Sequence, residues 1–224
     1  MTSSAAVLER TFDAVIFDND GTLVDSSASV ERSWVRWARE HGIDPERLRG
    51  FHGMPAAAII EQVGPHLEAR DALARIEELE IADVTGIVAL PGVLEAIAVL
   101  SGAEPPTPFA IATSATRALA ETRLAAAGID VPAGFVTVED VERGKPHPDP
   151  FLLAAERLGV DPARALVCED APSGIDAARA AGCTVLAVTT TTTTNELARA
   201  DLVVGSLADV AFAAVDGRVR VALR

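Results

Sequence analysis

The chain has 224 residues, 49% of them hydrophobic and 23% charged, which suits one large globular domain or two small ones. Its net charge of −14 and isoelectric point near 4.6 lack the basic footprint that nucleic acid demands, and they repel a phosphate ester at long range, so an anionic substrate must be captured by local cations. No stretch approaches about 18 consecutive apolar residues, and residues 1–11 lack the basic start and long apolar segment of a secretory signal, so neither a membrane span nor export is expected.

In chain order, the first expected element is a strand over 12–17. Its apolar run from Ala14 to Phe17 is continuous, partly β-branched and stopped by a polar turn. Residues 27 to about 88 then read as helical, with helices over 29–40, 55–63 and 66–81 and no convincing strand. Trp34 and Trp37 share one face of the first of these helices and are expected in its core. From Leu90 onward, strands over 109–113, 135–138, 165–168, 184–188 and 202–204 alternate with helices over 115–127, 150–158 and 172–181. A glycine (Gly128, Gly159 or Gly182) follows each of these helices as a left-handed terminator.

Repeated strand–helix units imply an α/β fold, a parallel sheet covered by helices on both faces, with the first strand joining it centrally. The helical stretch interrupts this core, giving a core domain of 1–26 and 89–224 and an inserted domain of 27–88. Near the end, residues 212–215 and 218–223 flank Asp216 and Gly217, a hairpin signal expected to form an edge ribbon. The threonine run 189–194 reads as a solvated low-complexity loop without an assigned role. Cys168 and Cys183 fall in apolar strands and read as core residues of a reducing compartment, hence a cytoplasmic protein.

The chemistry starts where the first strand ends. Asp18 and Asp20 leave its carboxyl end together, the place where open α/β sheets put their ligands. In extended geometry residues two apart face the same side, so the two carboxylates are expected to converge on one substrate. Crowded carboxylates repel unless a cation or a shared proton sits between them, which suggests metal-assisted nucleophilic chemistry. A second signal lies in the basic residues: of 19, 18 are arginine and the single lysine is Lys145, between Gly144 and Pro146. A compact point charge with three donors fits between a carboxylate and a phosphoryl group where a planar guanidinium does not.

The run from Asp18 to Ser26 resembles the first signature of the haloacid dehalogenase superfamily, and three further segments resemble the others in order. They are residues 111–114, ending in Ser114, residues 144–150, containing Lys145, and residues 167–174, containing Glu169 and Asp170. The resemblance runs from about Phe12 to Val204. It implies a doubly wound, Rossmann-like core whose insert, 27–88, is a helical cap over the active site. It also implies Mg2+ held by the Asp18 carboxylate, the Asp20 main-chain carbonyl and Asp170, with Glu169 as an outer ligand or water holder. A phosphate dianion ~3.5 Å from a carboxylate is repelled by on the order of 9 kcal/mol at an effective dielectric of ~20, which such a cation offsets.

By the same resemblance, Asp18 is the nucleophile that becomes an aspartyl-phosphate, and Asp20 is the acid and then the base. Ser114 and the backbone N–H of Ala115 hold the phosphoryl oxygens, Lys145 neutralises transition-state charge, and Thr113 points into the sheet. Asp20 sets the chain apart from the dehalogenases proper, whose halide leaving group needs no acid. The motifs look most like those of small sugar- and polyol-phosphate phosphatases, the glycerol-3-phosphatase and 2-deoxyglucose-6-phosphatase types. β-Phosphoglucomutases are the alternative.

His52, beside Phe51 and Gly53, is either a substrate contact or a turn histidine, and Met54 and Pro55 follow where those phosphatases often carry a polar residue. Arg117 is either a substrate contact or a solvated helix residue. A signalling receiver domain shares a phosphorylatable aspartate and a lysine, but it is about half this length and lacks the insert. The expected partner is a small phosphorylated sugar or polyol, with no nucleic acid or membrane, and the acidic surface with an internal cap fits a monomer.

Overall fold

A computed structural model of the chain describes residues 4–49 and 56–224. The elements in chain order are α1 (Ser4–Leu8), β1 (Ala14–Phe17), β2 (Val24–Asp25), α2 (Ser27–Glu40), α3 (Ala56–Val63), α4 (Ala69–Ala82), β3 (Val88–Ala89), α5 (Val93–Gly102), β4 (Phe109–Ile111), α6 (Arg117–Ala126), α7 (Asp149–Leu158), β5 (Ala165–Glu169), α8 (Pro172–Ala180), β6 (Thr184–Val188), β7 (Leu202–Val204), β8 (Val210–Val215) and β9 (Arg218–Leu223). They form two compact units, one of Met1–Asp25 with Val88–Arg224 and one of Ser26–Ile87. Among the described residues no helix is long and apolar enough to cross a membrane.

The first unit is an α/β fold around a five-stranded sheet of order β4-β1-β5-β6-β7, parallel throughout. The central strands β1, β5 and β6 are apolar along their length and buried at every position, as strands covered on both faces must be. On one face Ile16, Val167 and Val185 join Phe151 and Ala154 of α7 and Ile175 and Ala178 of α8 in one core. On the other, Phe17 meets the rings of Phe109 and Phe212 at centroid distances of 6.3 and 6.4 Å. Gly128, Gly159 and Gly182 take the left-handed φ expected after their helices.

Some elements differ from expectation, each for a local reason. No strand forms over 135–138. Val136 makes only an isolated parallel bridge to Ala112, because Thr137 and Asp140 build a reciprocal cap that starts a 3-10 turn at Val138. The helix expected from 115 starts at Arg117, since Thr116 caps it by accepting the N–H of Leu119. Helix α5 was not expected, because its run of apolar residues shows little 3.6-residue alternation. The terminal hairpin turns at Asp216 and Gly217, with φ of 50° and 73°, but β8 and β9 form a sheet of their own instead of edging the main one. Short strands β2 and β3 pair antiparallel, so the two chain passages flanking the helical unit are hydrogen-bonded to each other. Cys168 and Cys183 are free and buried, and burial pushes both thiols up, Cys183 to about 12.

In the second unit α2 and α4 pack with α3 around Trp34, Trp37, Ile59, Ile60, Ile76 and Leu79. Trp37 is fully buried, meets Trp34 edge-on at a centroid distance of 5.3 Å, and donates its indole N–H to the carbonyl of Ala72 at 3.0 Å. Truncation there empties the centre of a small core, so Trp37→Ala is expected to destabilise the helical unit by about 3–5 kcal/mol. Denaturant unfolding followed by circular dichroism measures this, and an unchanged midpoint would contradict the packing described.

Candidate active site

Strand β1 ends at Phe17, and the ladder continues one residue further because the N–H of Asp18 donates to the carbonyl of Cys168 at 2.9 Å. Since β1 and β5 run parallel with Phe17 opposite Cys168, Asp18 emerges beside Glu169 and Asp170. Ligand oxygens of these three buried carboxylates lie within 4.8 Å of one another. Lys145 reaches in from the loop before α7, its side chain 5% exposed, and its Nζ donates to Asp18 Oδ1 at 2.5 Å and Glu169 Oε1 at 2.8 Å. Glu169 is further tied down, because its Oε2 accepts the N–H groups of Asp170 and Ala171 at 2.7 Å each.

Two glycines let these groups approach. A Cβ on Gly174 would lie 1.6 Å from Glu169 Oε1, so α8 can pack onto that carboxylate only with glycine there. A Cβ on Gly21, whose φ is +84°, would lie 2.2 Å from Asp170 Oδ2. The electrostatics follow from the crowding. Burial pushes the Asp18 carboxyl well above the usual carboxylate range, with Lys145 pulling down and Glu169 and Asp170 pushing further up. Asp170 is pushed up to about 7, first by burial and then by Glu169, against the hydrogen bonds from Thr191 and Thr22. Burial opposes the charge on Lys145, but Asp18 and Glu169 together outweigh it and hold its ammonium more tightly than usual. Three carboxylates against one ammonium, offering only hard oxygen donors, fit a divalent cation such as Mg2+.

Asp20 does not converge with this cluster. The chain turns after Asp18, and Asp20 Oδ1 lies 2.9 Å from Nη1 of Arg123, a buried arginine of α6, while Oδ2 accepts from Asn19 at 3.2 Å. Sequence reasoning passed over Arg123. The signal was an arginine on the same helical face as the buried Leu119, Ala120 and Leu124. Ser114 is exposed just beyond β4, which pairs with β1 on the side away from β5, so it stands at the same edge of the sheet as Asp18. The N–H of Ala115 donates to Thr113 Oγ1 at 3.1 Å, so the Thr113 hydroxyl serves the loop and not the sheet. Arg117 pairs with Asp140 at 3.0 Å and lies over the ring of Phe135. His52 falls outside the described residues. The threonine run is not merely a solvated loop, for the hydroxyl of Thr191 donates to Asp170 Oδ2 and that of Thr190 to the carbonyl of Gly21.

The sequence profile of a family described as haloacid dehalogenase-like hydrolases matches residues 15–188. Hexitol phosphatase A of Escherichia coli is 42% identical over 199 residues, covering 87% of this chain and 91% of that protein. Glycerol-1-phosphate phosphohydrolase 2 of Saccharomyces cerevisiae is 32% identical, covering 80% of this chain and 75% of its own. Among solved structures, a putative β-phosphoglucomutase from Thermotoga maritima superposes with a TM-score of 0.69 at 28% identity, over 88% of this chain and 95% of that one.

The raised carboxyls have a consequence for stability. Asp18 and Asp170 bind a proton more tightly folded than unfolded, so the metal-free protein should lose stability as pH rises above the ordinary carboxylate range, through about 7 for Asp170. A divalent cation bound at these carboxylates would compete with those protons, so its apparent affinity should fall as pH drops below about 7. Thermal melts with and without Mg2+ are expected to show a larger increment at pH 8 than at pH 5.5. Equal increments would place the ion elsewhere.

Proposed function

We propose that this chain, which belongs to the haloacid dehalogenase-like hydrolases and is a phosphoric monoester hydrolase, acts on small sugar or polyol phosphates in the cytoplasm, as a monomer, with Mg2+ and through an aspartyl-phosphate. The observation that carries the reading is the buried cluster of Asp18, Lys145, Glu169 and Asp170 at the carboxyl edge of a parallel sheet. Asp18, the Asp20 carbonyl and Asp170 would hold Mg2+, which would supply charge neutralisation at the phosphoryl oxygens. Asp18 attacks phosphorus in line, forming the new O–P bond as the bond to the leaving alcohol breaks. Lys145, already on Asp18, neutralises charge on the transferring group. Ser114, at the same edge, binds a phosphoryl oxygen. Glu169 orients Lys145. Asp20, swinging from its partner Arg123, protonates the leaving oxygen and then takes a proton from the water that hydrolyses the intermediate. The helical unit Ser26–Ile87 is read as the family's cap domain.

A phosphate-release screen over hexitol, glycerol and hexose phosphates with Mg2+ tests the reading. Release of inorganic phosphate supports it. Interconversion of hexose 1- and 6-phosphates without release supports instead the mutase reading, which the Thermotoga neighbour favours.

Two substitutions dissect the mechanism. Asp18→Asn is expected to abolish turnover. Asp20→Asn should slow alkyl phosphates about 10²–10⁴-fold and p-nitrophenyl phosphate far less, because only the poor leaving group needs the proton. Equal losses on both would remove Asp20 from the acid role. Lys145→Arg keeps the charge but brings a planar fork into a gap between two carboxylates, so kcat should fall about 10²–10³-fold with the melting temperature little changed. A near-wild-type kcat would reduce Lys145 to a long-range charge.

A further inference from the structure

The threonine run after β6 touches the acidic cluster at Asp170 and the turn after Asp18 at Gly21. Strand β6 lies beside β5 with Ala187 opposite Glu169, so the loop that follows it opens at the same edge of the sheet as Asp170. Thr189 continues the ladder by donating its N–H to the carbonyl of Val204 at 3.0 Å. The next two hydroxyls then turn toward the site, Thr190 to the carbonyl of Gly21 and Thr191 to Oδ2 of Asp170. Thr193 instead donates its hydroxyl to Glu196 at 2.6 Å. The identical side chains of this run therefore have different jobs.

Asp170 is 4% exposed, and each of its oxygens accepts a hydroxyl. Oδ1 receives Thr22 at 3.3 Å, a long bond, whereas Oδ2 receives Thr191 in close contact. The fit is tight on the third side as well. The position a Gly21 Cβ would occupy is 2.2 Å from Asp170 Oδ2 and 2.8 Å from Thr191 Cγ2, so Gly21, Asp170 and Thr191 are packed against one another.

We propose that Thr191, with Thr190 beside it, is a positioning residue of the magnesium site, fixing the rotation of the Asp170 carboxylate while Thr190 holds the Gly21–Thr22 peptide, one residue beyond the Asp20 carbonyl. The proposal rests on the magnesium reading above. Mg2+ demands near-ideal octahedral geometry and tolerates a wandering ligand poorly, and carboxylates that bind metals depend on hydrogen bonds from behind. A hydroxyl is suited to this place, because it donates one hydrogen bond, leaves the remaining carboxylate lone pairs open and adds no charge.

The test is calorimetric titration of MgCl2 into the purified chain, alongside melts without metal. Wild type should bind, and Asp170→Asn should not. Thr191→Val, which keeps the volume and removes the donor, should raise Kd about 10–100-fold with the metal-free melting temperature unchanged, and Thr191→Ser should restore binding. If the valine does not fold in place, Thr191→Ala against Thr191→Ser reads the same hydroxyl. A Thr191→Val or Thr191→Ala chain that binds Mg2+ as wild type does overturns the proposal alone. So does a Thr191→Ser chain no better than Thr191→Val, since packing and not the hydroxyl would then matter. A wild-type chain that takes no Mg2+ overturns the magnesium reading and the proposal with it.

Discussion

Lys145 Nζ sits between Asp18 and Glu169 inside the protein, and the rest of the core is arranged around the problem this contact solves. Two like charges about 4 Å apart at an effective dielectric of 20 repel by about 4 kcal/mol, and here three carboxylates share the space. A single buried ammonium relieves part of that repulsion and leaves an excess of negative charge. Buried ion pairs of this kind contribute little net stability, since desolvation offsets most of their attraction. Their upkeep is visible in the surroundings: Glu169 takes two backbone N–H groups as well as the lysine, and Gly21 and Gly174 give up their side chains so that carboxylates can fit.

The sheet explains why this cluster is at the end of β1. Its order, β4-β1-β5-β6-β7, sends the chain from β1 outward to β4 and then back to β5 on the other side. Loops that leave β1 and its two neighbours therefore diverge and open a crevice at the carboxyl edge, the switch point where α/β proteins bind ligands. Asp18 leaves β1, Ser114 lies just beyond β4, Glu169 and Asp170 come from the end of β5, and the threonine loop comes from β6 next door. Parallel strands make this possible, because all their carboxyl ends share one edge.

The helical unit is held by different physics. Its charged pairs, Arg32 with Asp83 and Glu40 between Arg36 and Arg75, are solvent-exposed, and pairs of that kind contribute little. Hydrogen bonds from Arg75 and then Arg36 hold the Glu40 carboxyl down to about 2, so these contacts persist across ordinary pH without setting the fold. The unit depends instead on Trp37 and the aliphatic residues of α3 and α4 around it.

Much of this was legible along the chain. Continuous apolar runs ended by Asp, Ser or Glu-Asp marked β1, β4 and β5 with their site residues, and Thr184–Val188 and Leu202–Val204 form the strands expected of them, because burial on both faces writes an uninterrupted apolar signal. The lone lysine among 18 arginines pointed to a position with special chemistry. Where side chains end up was not legible, since it depends on strands brought together across the fold. Alternation brings Asp18 and Asp20 out of β1 together, but it does not show that Arg123, over a hundred residues later, pairs with the second carboxylate. The threonine run reads the same at every position, and only β6 lying against β5 decides that Thr191 meets Asp170 while Thr193 does not. Local residue types set the strands and the stock of reactive groups. The order of strands in the sheet decided which of those groups meet.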